Sequence, residues 1–245
     1  MNYQQVKNGL VRILRWIRNI LLALFVLSLF FVLLYKFVPV HYTSLMLIRS
    51  FEQYEKDKKI SISHQWLPLS EISPNLVQAV VASEDNLFLV HSGFYFEQIE
   101  IDVDETAKGR RLLETNTISQ QTAKIVFLPP TRSLFWKGLE SYFTVLIEFV
   151  WGKERIMEVF LNSIETGDGI FGAEAAARTH FDTTASNLTI SESALIVASL
   201  PNPKEFNAAH PSAYLLKRQA KISTLMSKIR QINFEKPNKN EKEHE

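Results

Sequence analysis

The chain has 245 residues, of which 46% are hydrophobic and 22% are charged. The length suits one sizeable domain, or one domain with an accessory segment, and the composition is typical of globular proteins, which excludes a wholly disordered chain. The 27 basic and 26 acidic residues leave a formal net charge of +1, which excludes an overall field that would attract nucleic acid. Because the chain has no cysteine, it forms neither a disulfide nor a thiolate metal site.

The amino terminus combines a basic flank with a long apolar segment over residues 19–40. Four basic residues and no acid precede that segment: Lys7, Arg12, Arg15 and Arg18. The segment has about the 20 residues that cross a hydrocarbon core of roughly 30 Å. A basic flank places the amino terminus in the cytoplasm. We predict a basic tail over 1–18 and an uncleaved anchor over 19–40; the alternative, a cleaved signal peptide, would be shorter and would end in small residues.

The chain beyond the anchor divides into three parts by composition. Residues 41–65 are of mixed polarity and include the charged patch EQYEKDKK, so we predict a connector that packs near the membrane. Over 66–234 apolar residues recur at helical spacing and alternating strand patterns are hard to find, which predicts a mostly α domain. The segment 235–245 is polar enough to be a disordered tail.

The segment SPNLVQAVVASED predicts a helix with an acidic end. Ser73 suits the N-cap and Pro74 suits the first helical position. The valines are spaced so that Glu84 falls on their packed face, where an ionised carboxylate is costly unless something compensates. That cost indicates a functional group. The alternative is a frayed last turn that leaves Glu84 and Asp85 as ordinary surface acids.

A second polar segment, NTISQQTAK, precedes IVFLPPTR. It brings Gln120, Gln121 and Lys124 within about one helical turn, and Arg132 follows two consecutive prolines. Amides and cations suit sugar hydroxyls and phosphates. From these residues alone, a solvated polar helix face remains the alternative.

The segment RSLFWKGLESYFTVLIEFVWGKERIMEVFLN predicts two helices with a break at Gly152. Lys137 and Glu140 are three residues apart, so they share a helix face. They could belong to a functional site or form an ordinary surface ion pair, which would contribute little.

The rest of the chain predicts scaffold. GDGIFGAEAAARTHF indicates a glycine-rich turn followed by an alanine-rich helix, and TISESALIVASLPNP a helix with a capping box of Thr189 and Glu192. The segment 212–231 predicts a helix whose apolar side chains pack in the core: Leu215, Leu216, Ile222, Leu225, Met226 and Ile229.

Taken in order, these segments resemble the peptidoglycan glycosyltransferases of family 51, and most closely the monofunctional biosynthetic transglycosylases. SEDNLFLVHSGF resembles the first family motif, TISQQTAK the second and KGLE the third. KERIMEVFLN and GDGIFGAEAAARTHF resemble the fourth motif and its sequel. The resemblance covers roughly residues 66–211, and five motifs in order are far more specific than any one of them.

The resemblance implies a lysozyme-like helical glycosyltransferase domain with one amino-terminal transmembrane helix. The protein would be single-pass in the bacterial inner membrane, with its catalytic domain in the periplasm, and would serve cell-wall biogenesis and cell shape. It would polymerise lipid II into glycan strands and release undecaprenyl pyrophosphate. The expected partners are lipid II, the lipid-linked glycan strand, the membrane and other cell-wall synthesis and division proteins, without nucleic acid.

The resemblance also implies roles for individual residues. Glu84 would be the general base on the 4-hydroxyl of the acceptor sugar, in an inverting attack on the anomeric carbon. Glu140 would be the second catalytic glutamate, which orients the leaving diphosphate through a cation or a basic side chain. The implied substrate-binding residues are Asp85, Asn116, Thr117, Gln120, Gln121, Lys124, Arg132 and Lys137. No organic cofactor and no metal-ligating residue is expected, and a divalent cation, Mg²⁺ or Mn²⁺, is compatible with the diphosphate.

The chain departs from the family pattern at several positions. Glu114, Thr115 and Asn116 stand where the family usually has glycine, glycine or alanine, and serine. Ile125 replaces a usual asparagine, and Trp136 replaces an arginine, which removes one cation from the donor side.

Two other hypotheses follow. One is a divergent, weakly active or inactive homologue that acts as a scaffold in a cell-wall synthesis complex, and the other is a lytic muramidase of the same fold. An active synthetic enzyme is favoured because the chain keeps the costly charged residues that the reaction needs: Glu84, Glu140, Lys124 and Arg132.

Overall fold

A computed structural model of the chain describes residues 3–56, 60–95, 116–131 and 133–234. The chain forms two compact units, Met1–Val38 and Pro39–Glu245. Of the predicted segments, 235–245 lies outside the described residues, as do Glu114, Thr115 and Arg132.

The first unit is the helix α1, Tyr3–Phe37. Its stretch Val11–Phe37 is long and apolar enough to cross a membrane, in agreement with the predicted anchor helix. The helix ends at Phe37 rather than at residue 40, because Pro39 disfavours helical backbone at the residue before it.

The second unit is mostly helical, as predicted. Its described helices are α2 (Ser44–Glu55), α3 (Pro74–Glu84), α4 (Ile118–Phe127), α5 (Leu134–Val150), α6 (Lys153–Ser163), α7 (Ala173–Phe181), α8 (Ile190–Ser199) and α9 (Ala213–Met226). Helices α3, α8 and α9 pack on one another, and α4 packs on α5 and α6. Short 3₁₀ turns lie at Leu69–Glu71 and Ala185–Asn187.

A small sheet, which the sequence did not predict, joins the connector to the domain. Its strands β1 (Ser63–His64), β2 (Glu165–Gly167) and β3 (Ile170–Phe171) are arranged in the order β1-β3-β2. Strand β1 is parallel to β3, and β2 is antiparallel to β3. Strands of two or three residues are too short to show an alternating pattern. The predicted connector 41–65 therefore contributes both α2 and β1 to the second unit.

Local signals set several helix ends as predicted. The Ser73 side chain accepts a hydrogen bond from the Asn75 N–H, and Pro74 begins α3. Gly152 separates α5 from α6 with a φ of 77°, a conformation that favours glycine. The predicted capping box of Thr189 and Glu192 is present at the start of α8.

The predicted core positions of α9 hold only in part. Leu215, Ile222 and Met226 are buried, at spacings of seven and four residues. Leu216 is exposed, so its predicted core position is wrong. It lies about 100° around the helix from Leu215, outside the buried stripe.

Candidate active site

Glu84 is the last residue of α3, and its half-buried side chain lines an open cleft. The cleft has a volume of about 270 Å³ and is also lined by Asp85, Tyr95, Asn116 and Leu225. Glu84 is thus neither packed in the core nor on a frayed surface turn. Its carboxylate is available to a molecule in the cleft.

The Glu84 carboxylate is held by two hydrogen bonds. One oxygen accepts from the Ser83 Oγ at 3.3 Å, and the other accepts from the Gln121 Nε2, also at 3.3 Å. Both distances are long for hydrogen bonds. The side chain is therefore oriented while its oxygens keep lone pairs that could accept a further proton donor.

Gln121 connects Glu84 to the second predicted catalytic residue. The Gln121 Nε2 also donates to the Asn116 backbone carbonyl at 3.1 Å. The Asn116 Oδ1 accepts from the Lys137 Nζ at 2.7 Å, and the Lys137 Nζ donates to the Glu140 Oε1, also at 2.7 Å. A continuous chain of contacts thus runs between the two glutamates.

Lys137 and Glu140 share a face of α5, as their spacing predicts. The Glu140 side chain is only 5% exposed, whereas that of Lys137 is 35% exposed. An ordinary surface pair leaves both groups in water. Here the glutamate side chain is buried and the lysine side chain stays partly accessible, so the pair differs from the surface alternative.

Asp85 holds the chain that follows α3. Its Oδ2 lies 2.8 Å from the His91 Nε2 and accepts from the Ile118 N–H, at the start of α4, at 3.0 Å. The Asp85 and His91 side chains are each only 6% exposed. Because the Gly93 N–H donates to the His91 Nδ1, a neutral imidazole carries its proton on Nε2 and donates it to Asp85.

A part-buried cluster that the sequence did not predict packs against the chain that follows α3. Glu148 accepts a short hydrogen bond from the Ser119 hydroxyl and forms an ion pair with the Lys153 Nζ at 2.6 Å. The Lys153 Nζ also lies 4.7 Å from the centre of the Phe88 ring, within cation–π range. Gly93 packs so closely here that a Cβ on it would lie 2.9 Å from the Glu148 Cγ. The sequence signal that could have indicated this cluster is Glu148, an acid five residues before Lys153, where the fourth motif begins.

Thr117 and Gln120 form a capping box at the start of α4. The Thr117 Oγ1 also donates to the Gly93 carbonyl at 2.7 Å. Both residues are buried. Their observed contacts are therefore internal, and their predicted substrate contacts stay predictions.

Lys124 is half-buried and follows Gln121 by three residues, so both lie on one side of α4. Arg132, the other predicted cation, lies outside the described residues. Within the described ranges no three carboxylate or imidazole residues group as a candidate metal site. A divalent cation at the diphosphate stays a prediction.

Comparison with known proteins gives a consistent assignment. The family model described as Transglycosylase matches residues 52–227. A biosynthetic peptidoglycan transglycosylase of Bacteroides thetaiotaomicron is 52% identical over 218 residues, covering 89% of this chain and 88% of that protein. Proteins of the same name from Bdellovibrio bacteriovorus and Caulobacter vibrioides are 48% and 46% identical, over 85% and 88% of this chain and 83% and 93% of their own lengths. The chain therefore belongs to the transglycosylase family, a family of glycosyltransferase enzymes, as the order of its motifs predicts.

Proposed function

We propose that this protein is a membrane-anchored peptidoglycan glycosyltransferase that polymerises lipid II into glycan strands and releases undecaprenyl pyrophosphate. The observation that supports this most is the chain of contacts from Glu84, in the open cleft, to the buried Glu140. This chain of contacts joins Glu84, the candidate base, to Lys137, the candidate cation that stabilises the leaving group. Both are needed to transfer a sugar from a diphosphate.

Glu84 acts as the general base in this proposal. Its carboxylate takes the proton of the acceptor 4-hydroxyl while that oxygen bonds to the anomeric carbon of the donor. The bond from the anomeric carbon to the diphosphate breaks, and its electron pair leaves with the diphosphate. One direct displacement inverts the anomeric centre. The Gln121 amide, which donates to Glu84, orients the carboxylate toward the acceptor.

Lys137 stabilises the departing diphosphate. Its ammonium has three N–H donors, of which one contacts Asn116 and one contacts Glu140. The third is available for a phosphate oxygen. Glu140 acts by orienting Lys137, and Lys124 and Arg132, by family position, add positive charge that stabilises the diphosphate.

The helix α1 anchors the domain to the membrane that carries its lipid-linked substrate. The basic residues at its start favour an amino terminus in the cytoplasm. The domain then lies on the periplasmic side, where the lipid-linked donor and the growing strand meet.

The decisive experiment incubates the purified full chain with labelled lipid II in detergent, with and without Mg²⁺. Formation of polymer supports the proposal. Absence of polymer from folded protein contradicts it and favours the scaffold. Cleavage of finished glycan also contradicts it and favours a lytic muramidase. Comparing polymer formation with and without Mg²⁺ tests separately whether the reaction needs a divalent cation.

A further inference from the structure

The carboxyl-terminal part of the second unit is strongly basic. Residues 206–234 contain no aspartate and no glutamate, whereas the whole chain has 27 basic and 26 acidic residues. The basic residues of this segment are Lys217, Arg218, Lys221, Lys228 and Arg230. A local excess of one charge attracts groups of the opposite charge. The segment therefore favours an anionic ligand.

Helix α9 of this segment reaches the cleft that contains Glu84. Leu225, in the last turn of α9, lines that cleft. Lys221 precedes Leu225 by four residues and Lys228 follows it by three. The Lys228 N–H donates to the Leu225 carbonyl at 3.0 Å, so the helical turn continues to this lysine. Residues at these spacings are neighbours on a helix surface, with Cβ atoms about 5–6 Å apart. Lys221 and Lys228, which we name the basic pair, therefore flank the cleft at Leu225.

The basic pair is free to bind a ligand. Both side chains are exposed. Among the residues that the structure describes, neither lysine forms an ion pair or a side-chain hydrogen bond. Each ammonium offers three N–H donors on a flexible stem. Lys137, by contrast, already contacts Glu140. The positive charge of the basic pair is thus not balanced by a carboxylate in contact with it.

Gln78 holds the end of α9 in a fixed position relative to α3. The Gln78 Nε2 donates to the carbonyls of Met226 and Arg230, each at 3.2 Å. The Gln78 Oε1 accepts from the Ile232 N–H at 3.0 Å. Because Gln78 belongs to α3, the helix that ends at Glu84, these bonds fix the basic pair relative to the candidate base.

The cleft, as lined by the described residues, is too small for the whole substrate of the proposed reaction. Its volume of about 270 Å³ is below the roughly 300–1,000 Å³ of pockets that enclose a drug-sized ligand. The muramic acid of lipid II carries a short peptide with free carboxylates, so this peptide extends over a rim of the cleft. Glu84 and Asp85 make one side of the cleft acidic, and like charges there disfavour the peptide. The side formed by α9 is basic.

We propose that the basic pair binds the peptide carboxylates of the acceptor lipid II while its sugar lies beside Glu84. The anionic ligand of α9 is therefore the substrate peptide. The basic pair contributes to substrate binding and not to the bond-making step, because it lies outside the chain of contacts from Glu84 to Glu140. This inference rests on the proposed function and names a further part of the same substrate site.

Two forms of lipid II test the inference on the purified full chain, in a non-ionic detergent without phospholipid. One form has free peptide carboxylates, and in the other form these carboxylates are amidated. We expect the unaltered protein to have a lower KM for the free form. In Lys221→Gln/Lys228→Gln, the KM for the free form should rise about 3- to 10-fold, as expected for the loss of two exposed charge pairs. The KM for the amidated form and both kcat values should change little.

Two further variants are the matched controls. Lys221→Arg/Lys228→Arg keeps both positive charges and should retain the preference for the free form. Lys56→Gln removes one exposed charge at the end of α2 and should leave both KM values unchanged. Thermal unfolding of every variant checks that the fold is intact.

Equal rises in KM for the two forms would overturn the inference, because the lysines would then act on the diphosphate that both forms share. Polymer formation by the unaltered protein without any preference for the free form would overturn this inference alone. A second series contains phosphatidylglycerol in mixed micelles. An effect of the glutamine variant that is seen only in this series would overturn the inference in favour of a lipid headgroup. Absence of polymer from the folded, unaltered protein with both forms would overturn the proposed function and this inference together.

Discussion

Glu84 is held by two long hydrogen bonds, which leave its carboxylate available for proton transfer. The variant Glu84→Gln keeps the side-chain size and removes the proposed base. We expect lipid II polymerisation to fall by about 10²- to 10⁴-fold, the usual contribution of a positioned general base. The thermal unfolding temperature should hold or rise. Both are measured on one preparation, and a variant that melts early yet polymerises normally would show that Glu84 is structural.

Asn116, at a position where the family usually has serine, contacts both sides of the site. Its side chain accepts from Lys137 and its carbonyl accepts from Gln121. A lost hydrogen bond to a charged group costs about 1.5–3 kcal/mol, so Asn116→Leu should lower kcat about 10- to 100-fold by the usual rate relation. The KM for lipid II should change little.

Asn116→Asp is the matched control, because it keeps an acceptor oxygen for Lys137 and should retain more activity than the leucine variant. Equal kcat values for Asn116→Leu and the unaltered protein would remove Asn116 from the positioning of Lys137.

At the residue scale, the sequence predicted contacts that depend on local spacing. The pairing of Lys137 with Glu140 follows from helical geometry, and the structure confirms it. The contacts of Lys153 with His91 and of Glu148 with Ser119 could not be predicted, because each joins two separate segments and no spacing rule relates them. Glu84 was predicted to lie on a packed face, whereas the cleft beside it is a tertiary feature.

At the element scale, helix starts were predictable wherever capping chemistry is local. The capping box of Thr117 and Gln120 was not predicted, because an amide at that position is equally suited to bind a sugar. The pairing of β1 with β3 was missed because it joins residues about a hundred positions apart, and the local pairing of β2 with β3 was missed because both strands are too short to show an alternating pattern.

Two histidines, His64 in β1 and His180 in α7, make the stability of the fold dependent on pH. His64 lies 3.0 Å from the Asn162 carbonyl, and His180 lies 3.2 Å from the Thr166 carbonyl. Burial lowers the pKa of both imidazoles below their ordinary value of 6.5. The two histidines therefore bind protons more readily in the unfolded chain. Their contribution to the free energy of unfolding is complete above pH 6.5 and is lost as the pH falls toward their pKa values in the folded protein.

We expect the thermal unfolding temperature to decrease between about pH 7.5 and about pH 5.5, where histidine titrates. The variant His64→Gln/His180→Gln keeps hydrogen-bond donors without the titration, and its unfolding temperature should decrease less. An identical decrease in both proteins would assign the pH dependence to other groups.

Alanine substitutions at two glycines test how closely the chain after α3 packs on α5. Gly93 lies at this contact, and Gly138, on α5, is the matched control. Gly93 has a φ of 92°, and a Cβ there would lie 2.9 Å from both the Glu148 Cγ and the Thr144 Cγ2. Gly93→Ala should therefore lower the free energy of unfolding by about 1–3 kcal/mol or more, because overpacking a close contact usually has this cost. A Cβ added at Gly138 on α5 would meet no atom within 4 Å, so Gly138→Ala should stabilise the protein by up to about 1 kcal/mol through helix propensity. Thermal unfolding should show a lower unfolding temperature for Gly93→Ala and a higher one for Gly138→Ala. Equal shifts in the two variants would contradict the close packing at Gly93.

At the scale of the whole molecule, the order of the motifs predicted the family, and the family matches. The apolar segment predicted the helix α1, although its end depends on Pro39. Membrane orientation remains a prediction from the basic flank.

A reporter fusion tests that orientation. A reporter that is active only outside the cytoplasm, fused after Glu245, should be active, because one span separates it from the basic amino terminus. The same reporter fused before Met1 is the control and should be inactive. The reverse pattern would contradict both the orientation and the proposed access to lipid-linked substrate.

The hydrogen bond from Thr117 to Gly93 joins two points of the chain that are 24 residues apart. One point follows the candidate base, and the other begins the helix that carries Gln121. Through this bond, a displacement of the chain after α3 carries the start of α4 with it, so the position of Glu84 and the orientation of Gln121 are mechanically coupled.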